Sequence, residues 1–135
     1  CAAFFCALPD EPQTGAALAR WSAAKRIVVP RVEGDAMRFY DYVPGELCRG
    51  AFGIAEPSAA ERPCDPADID FIVVPGVAFT AAGARMGRGR GYYDKYLSQS
   101  GFRGVKAGVC YAHQLVGELP VEPHDVFMDY VVTDD

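Results

Sequence analysis

With 135 residues, 50% of them hydrophobic and 23% charged, the chain has the balance of a folded protein and the length of one domain, too little for two independent cores. Its net charge of −5 means that the molecule as a whole repels phosphate backbones and anionic membranes, so any polyanion site has to be local. The cysteines, Cys1, Cys6, Cys48, Cys64 and Cys110, are odd in number, widely spaced and form no CxxC pair; this argues against a disulfide framework or a zinc finger and fits a reducing, cytoplasmic setting.

The chain opens at Cys1, without a methionine, directly into a strand-like run from Ala3 to Ala7, and is expected to be part of a longer protein. The apolar stretch Ala2 to Leu8 is far short of the ~20 residues a membrane helix needs and lacks a signal peptide's basic flank, so no membrane partner is expected. A turn-like Pro9-Asp10-Glu11-Pro12 leads to Thr14, which suits an N-cap for a helix burying Ala17, Leu18, Trp21 and Ala24. Ile27-Val28-Val29 reads as a strand ending at Pro30, and Met37 and Phe39 alternate with Arg38 and Tyr40 as in a half-buried strand. Residues 44–68 are rich in Pro and Gly and read as an irregular connection. Ile69 to Val74 reads as a buried strand, residues 83–91 as a loop, and 91–98 as a helix with Tyr93, Tyr96 and Leu97 on one face. Val105, Ala107 and Val109 alternate as a further strand, and Tyr130 to Thr133 forms the last. Strands alternating with helices predict an open α/β sheet, with ligands beyond the carboxyl ends of its strands.

Charge is unevenly placed. Residues 85–106 hold six basic groups (Arg85, Arg88, Arg90, Lys95, Arg103, Lys106) against the single acid Asp94, whereas 107–135 hold six acids and no Lys or Arg. The centre of the basic segment is Gly87-Arg88-Gly89-Arg90-Gly91-Tyr92-Tyr93-Asp94. Alternating glycines let the backbone approach a ligand and turn its N–H groups into a concavity, the guanidiniums supply charge-assisted donors, and a helix start follows. That combination suits a di- or triphosphate, although it is neither a P-loop nor the dinucleotide GxGxxG. A solvated, flexible turn is the plain alternative. Asp94 complements the helix dipole or holds a magnesium ion, and the second role requires another oxygen donor, for which Asp125 is the candidate.

Asp70-Phe71-Ile72-Val73-Val74-Pro75-Gly76-Val77-Ala78-Phe79, followed by Gly83-x-Arg85-Met86-Gly87-x-Gly89-x-Gly91-Tyr92-Tyr93-Asp94-Lys95, strongly resembles the 5-formyltetrahydrofolate cyclo-ligase (5,10-methenyltetrahydrofolate synthetase) family. Weaker agreement runs through Asp10-Glu11-x-x-Thr14, Met37 with Phe39, Gly53-Ile54-x-Glu56-Pro57, Gln114, and Asp125 with Val131-Val132-Thr133. The resemblance implies an α/β fold, a three-layer α/β/α domain over residues 1–135 with a central, mostly parallel sheet, lacking the family's N-terminal helical segment. It implies an enzyme that uses ATP and Mg2+ to close 5-formyltetrahydrofolate into 5,10-methenyltetrahydrofolate, a monomer acting on a small-molecule substrate without nucleic acid.

Carried over by position, Arg85, Met86, Gly87, Arg88, Gly89, Arg90, Gly91, Tyr92 and Tyr93 are the expected ATP loop, with Arg88, Arg90 and Tyr92 expected to be catalytic. The stretch Arg88 to Tyr92 is also expected at the folate, together with Cys6, Glu11, Met37, Phe39 and Phe52. Asp94 and Asp125 are the expected metal pair. Glu11 resembles the family's acidic contact to the pterin, whose ring offers N–H donors to a carboxylate. Taken without the family, Met37 and Phe39 are ordinary core residues, Lys95 solvates a helix face, Cys110 packs a strand, and His113 and His124 are structural or solvated. Two departures stand out: Thr80, where relatives carry aspartate, and Arg90, where they carry glycine or lysine. The alternative to an enzyme is a non-catalytic nucleotide- or RNA-binding protein that keeps the fold.

Overall fold

The computed structural model of the chain describes residues 1–7, 11–42, 47–49, 55–57, 62–89, 91–123 and 125–134, with the backbone alone at 47–49 and 55–57. The expected site residues Phe52 and Arg90, as well as Asp10, Gly53, Ile54 and His124, lie outside the described residues. In chain order the elements are β1 (Ala2–Ala3), α1 (Gly15–Trp21), β2 (Ile27–Glu33), β3 (Ala36–Asp41), β4 (Leu47–Arg49), β5 (Ala55–Pro57), β6 (Phe71–Val74), β7 (Ala78–Phe79), β8 (Arg85–Met86), α2 (Tyr92–Leu97), β9 (Val105–Cys110) and β10 (Tyr130–Thr133).

Six strands make one mixed sheet in the order β10-β9-β6-β1-β2-β3, and β4-β5 and β7-β8 are separate antiparallel pairs. All neighbours in the main sheet are parallel except β2 and β3, which form a hairpin. The fold is therefore α/β with a mostly parallel sheet. Because successive strand residues point to opposite faces, Ile27 and Val29 pack with Leu18 of α1, while Val28 joins Phe39, Ile72, Val74, Tyr96 and Leu97 under α2. The two clusters lie on either side of the sheet. No described helix is long and apolar enough to cross a membrane.

Several local expectations need correction. Helix α1 ends at Trp21, which is 40% exposed, and Leu18 is its buried residue; Ala24 lies beyond the helix. Thr14 makes no side-chain cap, because its hydroxyl donates to the Phe5 carbonyl at 2.6 Å instead. Strand β2 does not stop at Pro30 but runs on to Glu33. Phe39, opposite Pro30, turns its carbonyl outward to the Cys64 amide, and the two-residue β1 has already ended, so the missing N–H costs β2 no ladder bond. Within the segment read as irregular, residues 47–49 and 55–57 pair as a hairpin, and within the expected loop 83–91, Arg85 and Met86 pair with Phe79 and Ala78.

The parallel strands β1, β6 and β9 all deliver their carboxyl ends to one edge of the sheet. There the chain continues into the Glu11 loop, the Pro75-to-Gly91 segment and Tyr111 to Gln114. The Phe79 side chain packs the segment after β6 onto β9. Its ring is fully buried over two glycines, and a Cβ would approach it to 2.9 Å at Gly76 and 2.4 Å at Gly108.

Candidate functional site

At the carboxyl edge lies a cleft of about 630 Å3 whose walls come from the Glu11 loop and the segment that follows β6, together with Pro30, Val32 and Met37 of the β2-β3 hairpin and Pro120, Glu122 and Asp125. A second, more open groove of about 580 Å3 beside Thr80 and Phe127 has Glu118 and no basic group among its described lining residues, which does not suit a phosphate.

The basic wall is built from the β7-β8 hairpin onward. Its tight turn is closed by Thr80, whose amide donates to the Ala84 carbonyl at 3.0 Å and whose hydroxyl accepts the Ala84 amide at 3.1 Å. The hydroxyl thus supplies a local loop contact at the position where the family's aspartate is replaced. Gly83 is required here: it has φ +101°, and a Cβ would meet the Met128 carbonyl oxygen at 2.4 Å. Beyond the hairpin, Gly89 and Gly91 take φ of +92° and +71°, and Gly91 caps the N-terminus of α2.

Arg85 lies at the base of this wall. Its Nε donates to the Pro75 carbonyl at 2.6 Å, and its guanidinium sits 5.1 Å from the centre of the Tyr93 ring. Gly87 leaves room for it, since a Cβ there would lie 3.1 Å from both terminal nitrogens. Burial lowers the basicity of Arg85, opposed by Tyr93, Asp94, Glu11 and Asp125. Burial likewise raises the Tyr93 hydroxyl well above its ordinary value, against the pull of Arg85, so it remains a neutral phenol. Arg85 and Tyr93 therefore form a rigid foundation below the loop.

Above it, Arg88 reaches across the cleft and places Nη2 3.3 Å from Glu11 Oε2. The Glu11 side chain is only 7% exposed, whereas that of Arg88 is 44% exposed, and both line the cleft. Cys6 and Phe5 line the cleft with Glu11, and Pro30, Val32 and Met37 add apolar lining from the β2-β3 hairpin. Phe39 is not among the lining residues: its ring is wholly buried, with its centre 4.8 Å from that of Tyr96. Tyr92 donates to the Gly34 carbonyl at 3.5 Å, and Lys95 reaches the same β2-β3 turn, lying 3.3 Å from the Asp35 carbonyl and 3.7 Å from its carboxylate. Lys95 thus helps tie α2 to this turn rather than serving only to solvate a helix face.

Asp94 and Asp125 both line the cleft. Asp94 Oδ1 accepts the Val126 amide at 3.3 Å, and Asp125 Oδ2 accepts the Glu122 amide at 2.8 Å. Among the described residues no cluster of three or more His, Cys, Asp and Glu side chains forms a closed metal cage. Two carboxylates beside a basic loop instead fit a hard cation shared with phosphate oxygens, the usual arrangement for magnesium.

Sequence reading missed Phe5, Pro30, Val32, Pro120 and Glu122 as lining residues, and none of them carries a motif. Pro75 and Gly76 stood in the family-like stretch without an assigned role. His113 is exposed, stacked on Tyr111 with ring centres 5.8 Å apart, and lies outside the lining.

Comparison with known proteins agrees with this architecture. A profile of the 5-formyltetrahydrofolate cyclo-ligase family matches residues 2–134. The 5-formyltetrahydrofolate cyclo-ligase of Mycolicibacterium smegmatis is 35% identical over 115 residues, covering 80% of this chain and 59% of that protein. That of Escherichia coli is 34% identical over 119 residues, covering 84% and 65%. The chain thus spans about three fifths of the length of these curated relatives. Among solved structures, Aquifex aeolicus 5,10-methenyltetrahydrofolate synthetase superposes with a TM-score of 0.84 at 38% identity, covering 98% of this chain and 67% of that one.

Proposed function

The chain belongs to the 5-formyltetrahydrofolate cyclo-ligase family, and from that premise we propose that it takes part in the ATP- and Mg2+-dependent closing of 5-formyltetrahydrofolate to 5,10-methenyltetrahydrofolate. The observation that carries the reading is the Arg88–Glu11 contact, which joins a phosphate-type loop to a buried carboxylate in one cleft, with Asp94 and Asp125 on its wall.

In this reading the formyl oxygen attacks the γ-phosphorus of ATP, forming a C–O–P linkage as the bond to the β-phosphate oxygen breaks and ADP departs. N10 of the folate then attacks the activated formyl carbon, losing its proton. The C–O bond breaks with its electron pair on phosphate, leaving the methenyl bridge between the two nitrogens. No protein nucleophile is needed; positioning and charge neutralisation suffice.

The residues divide the work as the family resemblance implies. The backbone of Met86, Gly87, Gly89 and Gly91 lies close to the phosphates, and Arg88 and Arg90 offset charge on the transferred group. Tyr92 anchors the loop to the turn of the folate-facing hairpin. Glu11 accepts N–H bonds from the pterin, with Cys6 beside it and Met37 on the apolar side. Asp94 and Asp125 would hold the magnesium, which supplies charge neutralisation at the phosphates when bound.

The test follows absorbance of the methenyl product with folate, ATP and magnesium each added or withheld. Signal that requires all three supports the reading. Its absence from a folded full-length protein overturns it in favour of a non-catalytic binder.

A further inference from the structure

We propose that Tyr111 is a positioning residue for Glu11, an inference that rests on the cyclo-ligase reading and adds a residue that no motif picks out. The loop after β1 leaves the sheet at Phe4, brings Cys6 and Glu11 to the cleft, and returns at Thr14, whose hydroxyl bond to the Phe5 carbonyl closes its base at 2.6 Å. Farther out, the Glu11 carbonyl accepts the Gln13 side-chain amide at 2.8 Å and the Tyr111 hydroxyl at 3.0 Å.

These two bonds differ in what they fix. Gln13 belongs to the loop and moves with it. Tyr111 is 100 residues away, at the carboxyl end of β9, and reaches past β6 to touch the loop that follows β1. It is itself held from below: its amide donates to Gln114 Oε1 at 2.8 Å, and Gln114 Nε2 lies 3.3 Å from the Gly76 carbonyl and 3.1 Å from that of Val77. The segments after β1, β6 and β9 are thereby joined into one network, and Tyr111 is where it meets the acidic loop.

Arg88 holds the Glu11 carboxylate, and Tyr111 ties its main chain to a distant segment. Arg88 is half-exposed and, in the proposed reaction, also faces the transferred phosphate. Tyr111 lies outside the cleft lining and takes no part in that exchange. Its hydroxyl keeps the Glu11 main chain in place, so that the carboxylate meets the pterin while Arg88 is shared with phosphate.

The experiment uses Tyr111→Phe in the full chain, which retains the ring and its stack on His113 and removes one oxygen. The KM for 5-formyltetrahydrofolate should rise about three- to tenfold, the range of one uncharged hydrogen bond, while kcat and the KM for ATP stay within about twofold. In a Glu11→Gln background the same change should add nothing to the KM. A second readout needs no turnover: amide hydrogen exchange at Glu11, Gln13 and Thr14 should quicken in Tyr111→Phe while β6 and β9 keep their protection. Unchanged folate KM with unchanged exchange would overturn the proposal, as would a parallel rise in both KM values with loss of protection throughout the sheet. A wild-type protein that makes no methenyl product would instead remove the cyclo-ligase reading, leaving the exchange measurement to decide the tether by itself.

Discussion

Arg88 and Glu11, 77 positions apart in sequence, meet at 3.3 Å across the cleft. The carboxylate is nearly buried, so its charge needs a partner, and the Arg88 guanidinium supplies one. This one contact sets the distance between the two halves of the proposed site, the phosphate loop and the folate wall.

Glu11→Gln should therefore damage folate binding more than nucleotide use. The amide keeps one acceptor oxygen but loses the charge, and charge-assisted bonds contribute ~1.5–3 kcal/mol each, so the folate KM should rise about 10- to 150-fold. The KM for ATP should change much less. Steady-state kinetics with each substrate varied in turn decides it, and an unaltered folate KM would take Glu11 out of the substrate contact.

Asp94→Asn and Asp125→Asn isolate charge from scaffolding. An asparagine oxygen can still accept the Val126 or Glu122 amide, so melting temperatures should stay near that of the wild type. Activity should fall by about 100-fold or more, with the magnesium concentration for half-maximal rate displaced upward, since the metal's charge is central to phosphoryl transfer. Wild-type magnesium dependence in both variants would break the assignment.

The parts of the molecule read well from sequence are those whose signal is local. Val105, Ala107 and Val109 alternate, and Tyr130 to Thr133 is a short β-branched run; both lie in strands that begin where their patterns begin. Pro30 misled because a proline's cost depends on which neighbour its absent N–H would face, and that is decided by the early end of β1 and by the outward turn of the Phe39 carbonyl. Met37 and Phe39 share a face of β3, yet one lines the cleft and the other packs on Tyr96, a division that only the placement of α2 settles. The glycine-arginine loop was legible because glycine spacing and charge are properties of the chain itself. Tyr111 was not, since its partner is a main-chain carbonyl supplied by a distant loop.

Gly108→Ala tests the packing that holds the carboxyl edge together. The added methyl would lie 2.4 Å from a Phe79 ring carbon in a fully buried position, so β9 or the ring has to shift. Overpacking of this kind costs typically ~1–3 kcal/mol. Chemical denaturation should show that loss, and Phe79→Leu should cost less in the Gly108→Ala background than in the wild type. Additive losses would mean that the two positions do not press on each other.

Tyr96 makes stability fall at alkaline pH. Its hydroxyl is buried without a hydrogen-bond partner among the described residues, and burial raises its pKa above the ordinary tyrosine value of about 10. Below that value both folded and unfolded chains keep the proton, and the contribution is intact. Above it the unfolded chain ionises first, so the folded state loses up to ~1.4 kcal/mol per pH unit from this group until its own raised pKa is reached. Tyr93 adds to the same trend, while Cys64 and Cys110, both raised by burial, start it from about pH 9. Tyr96→Phe should remove one share of the alkaline slope and, by deleting an unpaired buried hydroxyl, should leave stability at pH 7 equal or about 1 kcal/mol higher. Urea unfolding between pH 7 and 11 measures both; a slope identical to the wild type would show that the hydroxyl ionises as readily in the folded chain as in the unfolded one.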